Sequence, residues 1–384
     1  MPIPRIAPIL VVILLALPFS ASARTWQVEK DGSGDFRIIQ DAVDAAASGD
    51  TVQIGPGRFD DFADFTAPAW TREVIIGVTK NNLTFIGSGF EETIIGPEVM
   101  YEPPGLPPMG IACIENYFCE FRDLRVENVY NGIYWAHGRV EVSNCTFFGC
   151  PNGVLLFNDG GGLIQDSSFI TSYGLHIGIV THSPCQDVLV SNCNFSGPGG
   201  GVDFNGTSNA LVSSCQFTCA KPIHFGQGSE GIADHNISGD PAGLGVWVSS
   251  NSSAVLIENE IYGYFASLYL DSWAHVTGSG NIFSGGADVA TIYISSASTV
   301  SLSGNHILKS GDWAVFLEYY FYEQIEQDLT GNYWGTTDPD SISSWIWDYN
   351  DDPTIHSVVN FEPIADGPVP TEEKSFGSIK AMFR

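Results

Sequence analysis

Ten short apolar runs recur along this chain at a spacing that few folds can accommodate. They are Leu124-Arg125-Val126, Cys145-Thr146-Phe147, Ser167-Ser168-Phe169, Cys193-Asn194-Phe195, Cys215-Gln216-Phe217, His235-Asn236-Ile237, Asn259-Glu260-Ile261, Asn281-Ile282-Phe283, Asn305-His306-Ile307 and Asn332-Tyr333-Trp334. Their last residues lie 21, 22, 26, 22, 20, 24, 22, 24 and 27 apart. A period in this range is one coil of a parallel β-solenoid, whose strands stack about 4.8 Å apart. A single repeat cannot bury its own apolar side, so the period implies a continuous stack of coils from about 111 to 334.

From Cys145 on, each run starts with a small or polar residue that the alternation of a strand turns inward. This inner column reads Cys145, Ser167, Cys193, Cys215, His235, Asn259, Asn281, Asn305 and Asn332. Side chains of this kind in register can bond one another and the turn backbone, so that no buried polar group is left unpaired.

A second pattern opens each coil. Gly132-Ile133-Tyr134, Gly153-Val154-Leu155, Gly178-Ile179-Val180, Gly201-Val202-Asp203, Pro222-Ile223-His224, Gly245-Val246-Trp247, Ser267-Leu268-Tyr269, Thr291-Ile292-Tyr293 and Ala314-Val315-Phe316 align. The aliphatic middle residue faces in and its successor faces out. One outward column is therefore Tyr134, Leu155, Val180, Asp203, His224, Trp247, Tyr269, Tyr293 and Phe316. Two residues further on it is Ala136, Phe157, His182, Asn205, Gly226, Ser249, Asp271, Ser295 and Glu318. An outward stripe so rich in aromatic residues marks a contact surface or a face covered by loops such as 317–327.

Before the coils, Phe36 to Ala47 places Ile38, Ile39, Ala42, Val43 and Ala46 at helical spacing, and Gly49-Asp50 ends the segment. An amphipathic helix there would cap the open N-terminal end, with Thr51 to Ile54 as the first strand. Proline-rich Tyr101 to Met109 reads as a loop. Beyond the coils, Ile342, Trp345 and Ile346 offer an apolar cover for the other end, within a cap expected over 335–362. Pro363 to Thr371 is a linker, and the tail runs to Arg384.

The first 23 residues have a secretory leader's three parts: Arg5, the apolar run Ile9 to Leu17, and the small-x-small site Ala21-Ser22-Ala23. The apolar run is too short to span a bilayer, so an exported protein (secreted, cell-surface or periplasmic) is expected, not membrane-spanning after cleavage. The formal net charge of −29 disfavours nucleic acid and anionic lipid as partners. It also opposes a bare polyuronate unless a divalent cation such as calcium bridges the two. The eight cysteines are an even number, compatible with disulfides such as Cys113 to Cys119, and they lack zinc-site spacing. Asp338, Asp340, Asp348, Asp351 and Asp352 cluster near the end. Of these Asp348, Asp351 and Asp352 are calcium candidates, without EF-hand spacing.

These features resemble the right-handed parallel β-helix superfamily of exported proteins, whose members include pectate lyases and pectin methylesterases. The resemblance covers nearly the whole chain after the leader, as one domain over 24–362. It implies an all-β, single-stranded right-handed solenoid with an N-terminal amphipathic capping helix. The segment Gly331-Asn332-Tyr333-Trp334-Gly335, with Asp351-Asp352-Pro353 and Phe361-Glu362-Pro363, is similar to the end of many exported β-helix proteins. Asp31-Gly32-Ser33-Gly34-Asp35-Phe36 resembles the start of pectin methylesterases. Val202-Asp203-Phe204-Asn205-Gly206 resembles their nucleophile segment, which implies that role for Asp203. The likeness departs one coil earlier, where Thr181-His182-Ser183 stands in place of the second catalytic aspartate. The nearby Gln186-Asp187-Val188-Leu189 is too close to Asp203, and no Arg-Pro-Trp segment follows.

Stacked rings at coil spacing suit the C–H faces of sugars, with carboxylates, amides and imidazoles beside them for hydroxyls. The expected partner is a polysaccharide or cell-surface glycan, bound by Tyr134, Trp247, Tyr269, Tyr293, Asn205 and Asp271. Neighbouring Asp203 and His224 make an acid–base pair about 5 Å apart, with His182 close by. A lyase, hydrolase or esterase is therefore one alternative, and a non-catalytic structural or adhesive solenoid is another.

Overall fold

The computed structural model describes residues 23–368 except 69, 101–106, 116, 183, 241–242 and 319–324. Residues 1–22 of the expected leader, most of the proline-rich loop and the tail from 369 lie outside the described residues. The chain winds through about 12 turns of a parallel β-solenoid. Each full coil contributes a strand to each of three parallel sheets.

Sheet 1 begins with Trp70–Gly77 and Met109–Cys113 and ends with Trp313–Leu317 and Ile346–Trp347. Sheet 2 runs from Thr25–Val28, Thr51–Ile54 and Leu83–Ile86 to Ser357–Asn360. Sheet 3 runs from Gly57–Phe59 and Thr93–Ile95 to His306–Lys309. Two expected boundaries are thereby corrected. The stack starts at Thr25–Val28, before the strand at 51–54, and it continues past Trp334 to Asn360. Met109 belongs to a strand, not to the loop before it. The spacing hid the early coils because they carry insertions. One is the helix α1, Ile39–Ala45, shorter than the 36–47 expected, with Ile39, Ala42 and Val43 buried. Another is an antiparallel hairpin of Ala63–Ala67 with Trp70–Gly77.

The inner column is present with one correction. Asn236, not His235, occupies it: the Cys215 N–H donates to Asn236 Oδ1 at 3.0 Å. The Asn236 N–H donates to Asn259 Oδ1 at 2.9 Å, and the chain of bonds continues through Asn281 and Asn305 to Asn332. The reason lies one residue earlier in each coil. Asn144, Asp166, Asn192, Ser214, His235 and Glu258 all have φ between 50° and 54°, and Gly280, Gly304 and Gly331 follow at 71–72°. A left-handed residue is required at this corner, where Asn, Asp, His and Gly are the least strained choices. His235 fills it, and Ile237 is turned to solvent, 49 % exposed. Inside sheet 3, Phe147, Phe169, Phe195 and Phe217 stack at centroid distances of 4.8–4.9 Å, the repeat of the coils themselves. Offset-stacked rings are a favoured aromatic arrangement, so the column adds to the area that it buries.

All eight cysteines are buried free thiols, so Cys113 and Cys119 are not joined. Burial pushes the Cys113 thiol up to about 12 and Cys119 to about 11. The acidic cluster near the end works within its own turns. Asp348 accepts the N–H groups of Asn350 and Val359, Asp352 accepts from Thr354, and Asp338 caps α2, Pro339–Ser343, through Ser341. Among the described residues no group of three His, Cys, Asp or Glu side chains is arranged to hold a metal ion. No helix among them is long and apolar enough to cross a membrane.

Candidate functional site

The outer column of sheet 1 has the register expected from the repeat. Tyr134 pairs with Leu155, Leu155 with Val180, Val180 with Asp203, and Asp203 with His224. The column then passes through Trp247, Tyr269, Tyr293 and Phe316, and it extends one coil further to Trp347. Alternate residues of these strands, such as Val202, Ile223, Val246, Leu268 and Ile292, are buried in the core and turn the column outward.

The column divides into three parts. At its N-terminal end Tyr134 meets Trp70 edge-on at 5.8 Å and Phe157 at 6.4 Å. It packs with Phe65 and Trp70 of the hairpin against buried Val74, Met109 and Ala112. Burial pushes its hydroxyl pKa up. Leu155 and Val180, both buried, follow it. Tyr134 is thus about 24 Å, five coils, from Trp247 and stands apart from the other ligand candidates.

The centre is polar. His224 Nδ1 lies 2.7 Å from Asp203 Oδ1, and Asn205 Nδ2 donates to the same oxygen at 2.8 Å. His224 Nε2 lies 2.9 Å from Ser249 Oγ. The imidazole stacks on Trp247 with centroids 4.0 Å apart and planes 19° apart. Gly226 makes this possible, since a Cβ there would come within 2.6 Å of His224 Cε1. His182 does not join the group. It is exposed, and its ring stands edge-on to Phe157 at 6.1 Å.

The C-terminal part is an aromatic stripe about 19 Å long, four coil spacings from Trp247 to Trp347. Trp247 and Tyr269 are 6.2 Å apart, Tyr269 and Tyr293 5.2 Å, and Tyr293 and Phe316 5.2 Å. Phe316 stacks on Trp347 at 6.4 Å, and Phe265 buttresses Tyr269 and Tyr293 from the preceding corner. The five rings of the stripe are half-buried, so each keeps a solvent-facing part. Asp271 belongs here, accepting the Trp247 indole N–H at 3.3 Å. Burial, then the Asp271 charge, raises the Tyr269 pKa, and burial with Glu318 raises that of Tyr293. Both phenols remain neutral hydrogen-bond donors at ordinary pH.

Sequence reading missed Ser249 as a partner of His224, and Phe265 and Trp347 as parts of the stripe. Ser249 stood in the second outward column, and Gly226 beside it was the available signal. A glycine between two polar residues of adjacent coils leaves room for a ring to lie across.

The fold is a right-handed parallel β-helix, and residues 109–230 match the family model described as a right handed beta helix region. Among solved structures it is similar to the A-module of mannuronan C-5 epimerase AlgE6 from Azotobacter vinelandii. The identity is 14%, over 88% of this chain and 95% of that one, with a TM-score of 0.56. It also aligns with a pectin methylesterase from carrot at 15% identity, over 68% and 85% of the two chains, with a TM-score of 0.37. No curated protein matches the sequence.

Proposed function

We propose that this β-helix holds a polysaccharide chain along the outer face of sheet 1. The observation that carries the reading is the stripe Trp247, Tyr269, Tyr293, Phe316 and Trp347, one half-exposed ring per coil. Rings at one repeat spacing offer successive flat apolar surfaces to a polymer that is itself periodic, while Asp271, Asn205 and Asp203 supply hydrogen-bond acceptors at the edge. A fold shared with a mannuronan C-5 epimerase module is in keeping with this. The secretory leader expected over the first 23 residues supports work outside the cytoplasm.

The test is a glycan array on the purified mature protein, with and without calcium because of its net charge of −29. Trp247→Ala combined with Tyr269→Ala should abolish retention while circular dichroism stays that of the parent. Unchanged retention refutes the face. No retention by the parent on any glycan favours a structural or adhesive solenoid.

The 2.7 Å contact of Asp203 with His224 supports a second reading, in which the same face also turns its ligand over. Inverting hydrolysis by two carboxyls is not its form. Asp203 and Asp271 are three coils, about 14 Å, apart, whereas that chemistry wants roughly 6.5 to 9.5 Å.

A further inference from the structure

From Asp203, His224 and Ser249 we infer that this face is an esterase site, with Ser249 as nucleophile and a small acyl ester on the polysaccharide as substrate. The inference rests on the polysaccharide reading for its natural substrate but not for its chemistry. Three contacts carry it. Asp203 Oδ1 receives Asn205 Nδ2 at 2.8 Å, so this oxygen is an acceptor, and the proton in the 2.7 Å contact belongs to His224 Nδ1. The other ring nitrogen, Nε2, then presents its lone pair to the Ser249 hydroxyl at 2.9 Å. Carboxylate, imidazole and hydroxyl in this order are an orienting acid, a general base and a nucleophile, an arrangement recognised by geometry and not by chain order.

The surroundings hold the imidazole in place. Trp247 fixes the ring plane from one side by stacking at 4.0 Å. Gly226 leaves the space through which the ring reaches Ser249. The His224 and Asp203 side chains are 14 % and 23 % exposed, and Ser249 is 4 % exposed. A hydroxyl so enclosed could be reached only by a small acyl group, such as acetyl, and not by a long chain. The sugar ring bearing the ester would lie over Trp247, the first ring of the stripe.

The chemistry balances without a further reactant. The Ser249 oxygen forms a bond to the ester carbonyl carbon as His224 Nε2 takes the hydroxyl proton. The bond from that carbon to the sugar oxygen breaks, and His224 gives the proton to that oxygen, which leaves as a hydroxyl. Water then adds to the acyl-serine carbon, again losing a proton to His224. The acid leaves as Ser249 regains its hydrogen. Asp203 touches only the imidazole and is a positioning residue.

The experiment uses the mature protein with p-nitrophenyl acetate and with a fluorophosphonate probe, followed by peptide mapping. The expected results are probe attached at Ser249 and acetate release reduced about a thousandfold or more in Ser249→Ala. Ser249→Cys should restore covalent capture, as an acetyl thioester found on the same peptide, which a failure to fold would not allow. An unlabelled Ser249 together with hydrolysis unchanged in Ser249→Ala overturns the proposal. The two readings fail separately. Hydrolysis without glycan retention removes the polysaccharide reading and leaves the serine. Glycan retention without labelling or hydrolysis removes the serine and leaves the stripe.

Discussion

Replacing Asn281 by alanine should cost the fold several times more than replacing Cys215, although both stand in the same inner column. Asn281 has no exposed surface. Its Oδ1 accepts the Asn259 backbone N–H at 3.0 Å and Asn259 Nδ2 at 2.8 Å. Its Nδ2 donates to Leu256 O at 2.8 Å, Ser279 O at 3.2 Å and Asn305 Oδ1 at 2.8 Å. In the alanine variant the buried Asn259 N–H loses its acceptor, at about 1–3 kcal/mol, and the further bonds lose about 1 kcal/mol each net. Asn259 Nδ2 keeps Ala233 O, and Asn305 Oδ1 keeps the Asn281 N–H, so the total comes to about 3–5 kcal/mol. At Cys215 the corresponding contacts run through sulfur. The Cys193 N–H reaches Sγ at 3.5 Å, and Sγ lies 3.3 Å from Ser213 O and 3.9 Å from Val190 O. A weak thiol donor forfeits little, so Cys215→Ala should cost about 1 kcal/mol, mostly in packing. Equilibrium urea unfolding of both variants, followed by tryptophan fluorescence, measures the difference from midpoints at equal slope. Losses equal within about 1 kcal/mol would refute the view that the amide ladder, and not burial alone, holds these coils together.

Three other outcomes follow from the same geometry. Gly226→Ala should push the His224 ring off Ser249, because the new Cβ would lie 2.6 Å from Cε1 and 2.9 Å from Nε2; the imidazole proton resonance of His224 should move upfield by NMR, and an unmoved resonance refutes the space argument. His235→Gly removes the shared partner of the Asp234 and Glu258 side chains, which are 2 % and 8 % exposed. Glycine suits the left-handed corner, so the expected urea-measured loss of about 3 kcal/mol comes from the two lost contacts with these acids, and parent-like stability would show that the imidazole holds neither acid. Burial alone would raise the Asp50 carboxyl pKa, but the N–H groups of Ala47 and Arg24 and the Trp26 indole together hold it below the usual 3.8. A depressed acid contributes stability above its unfolded value and loses it as pH falls through the folded one. Protection of the amides of 24–54, corrected for their intrinsic exchange, should therefore fall below about pH 4 in the parent, and Asp50→Asn should already show the lower protection at pH 7.

How much was legible depends on whether a feature repeats. The outward register of sheet 1 could be read through nine coils because the Ile, Val or Leu before each outer residue marks the inside every time. The slip at His235 has a local physical cause. Both His and Asn tolerate the left-handed corner, and both can bond in the column behind it, so His235-Asn236 offers two registers one residue apart. Only the bonds from Cys215 to Asn236 and on to Asn259 choose between them. The isolation of Tyr134 was beyond periodic reading altogether. It follows from the hairpin 63–77, an antiparallel insertion whose Trp70 reaches across to a coil some 60 residues later in sequence. The Ser249 contact lies between these cases. The alternation of strands placed Asn205, Gly226 and Ser249 in one column and Asp203, His224 and Trp247 in the next, so the neighbours were known and the bonds were not. A histidine beside a glycine can cross between columns, whereas one beside any larger residue would stay within its own. The empty position in a column thus carries as much chemical information as the side chains around it.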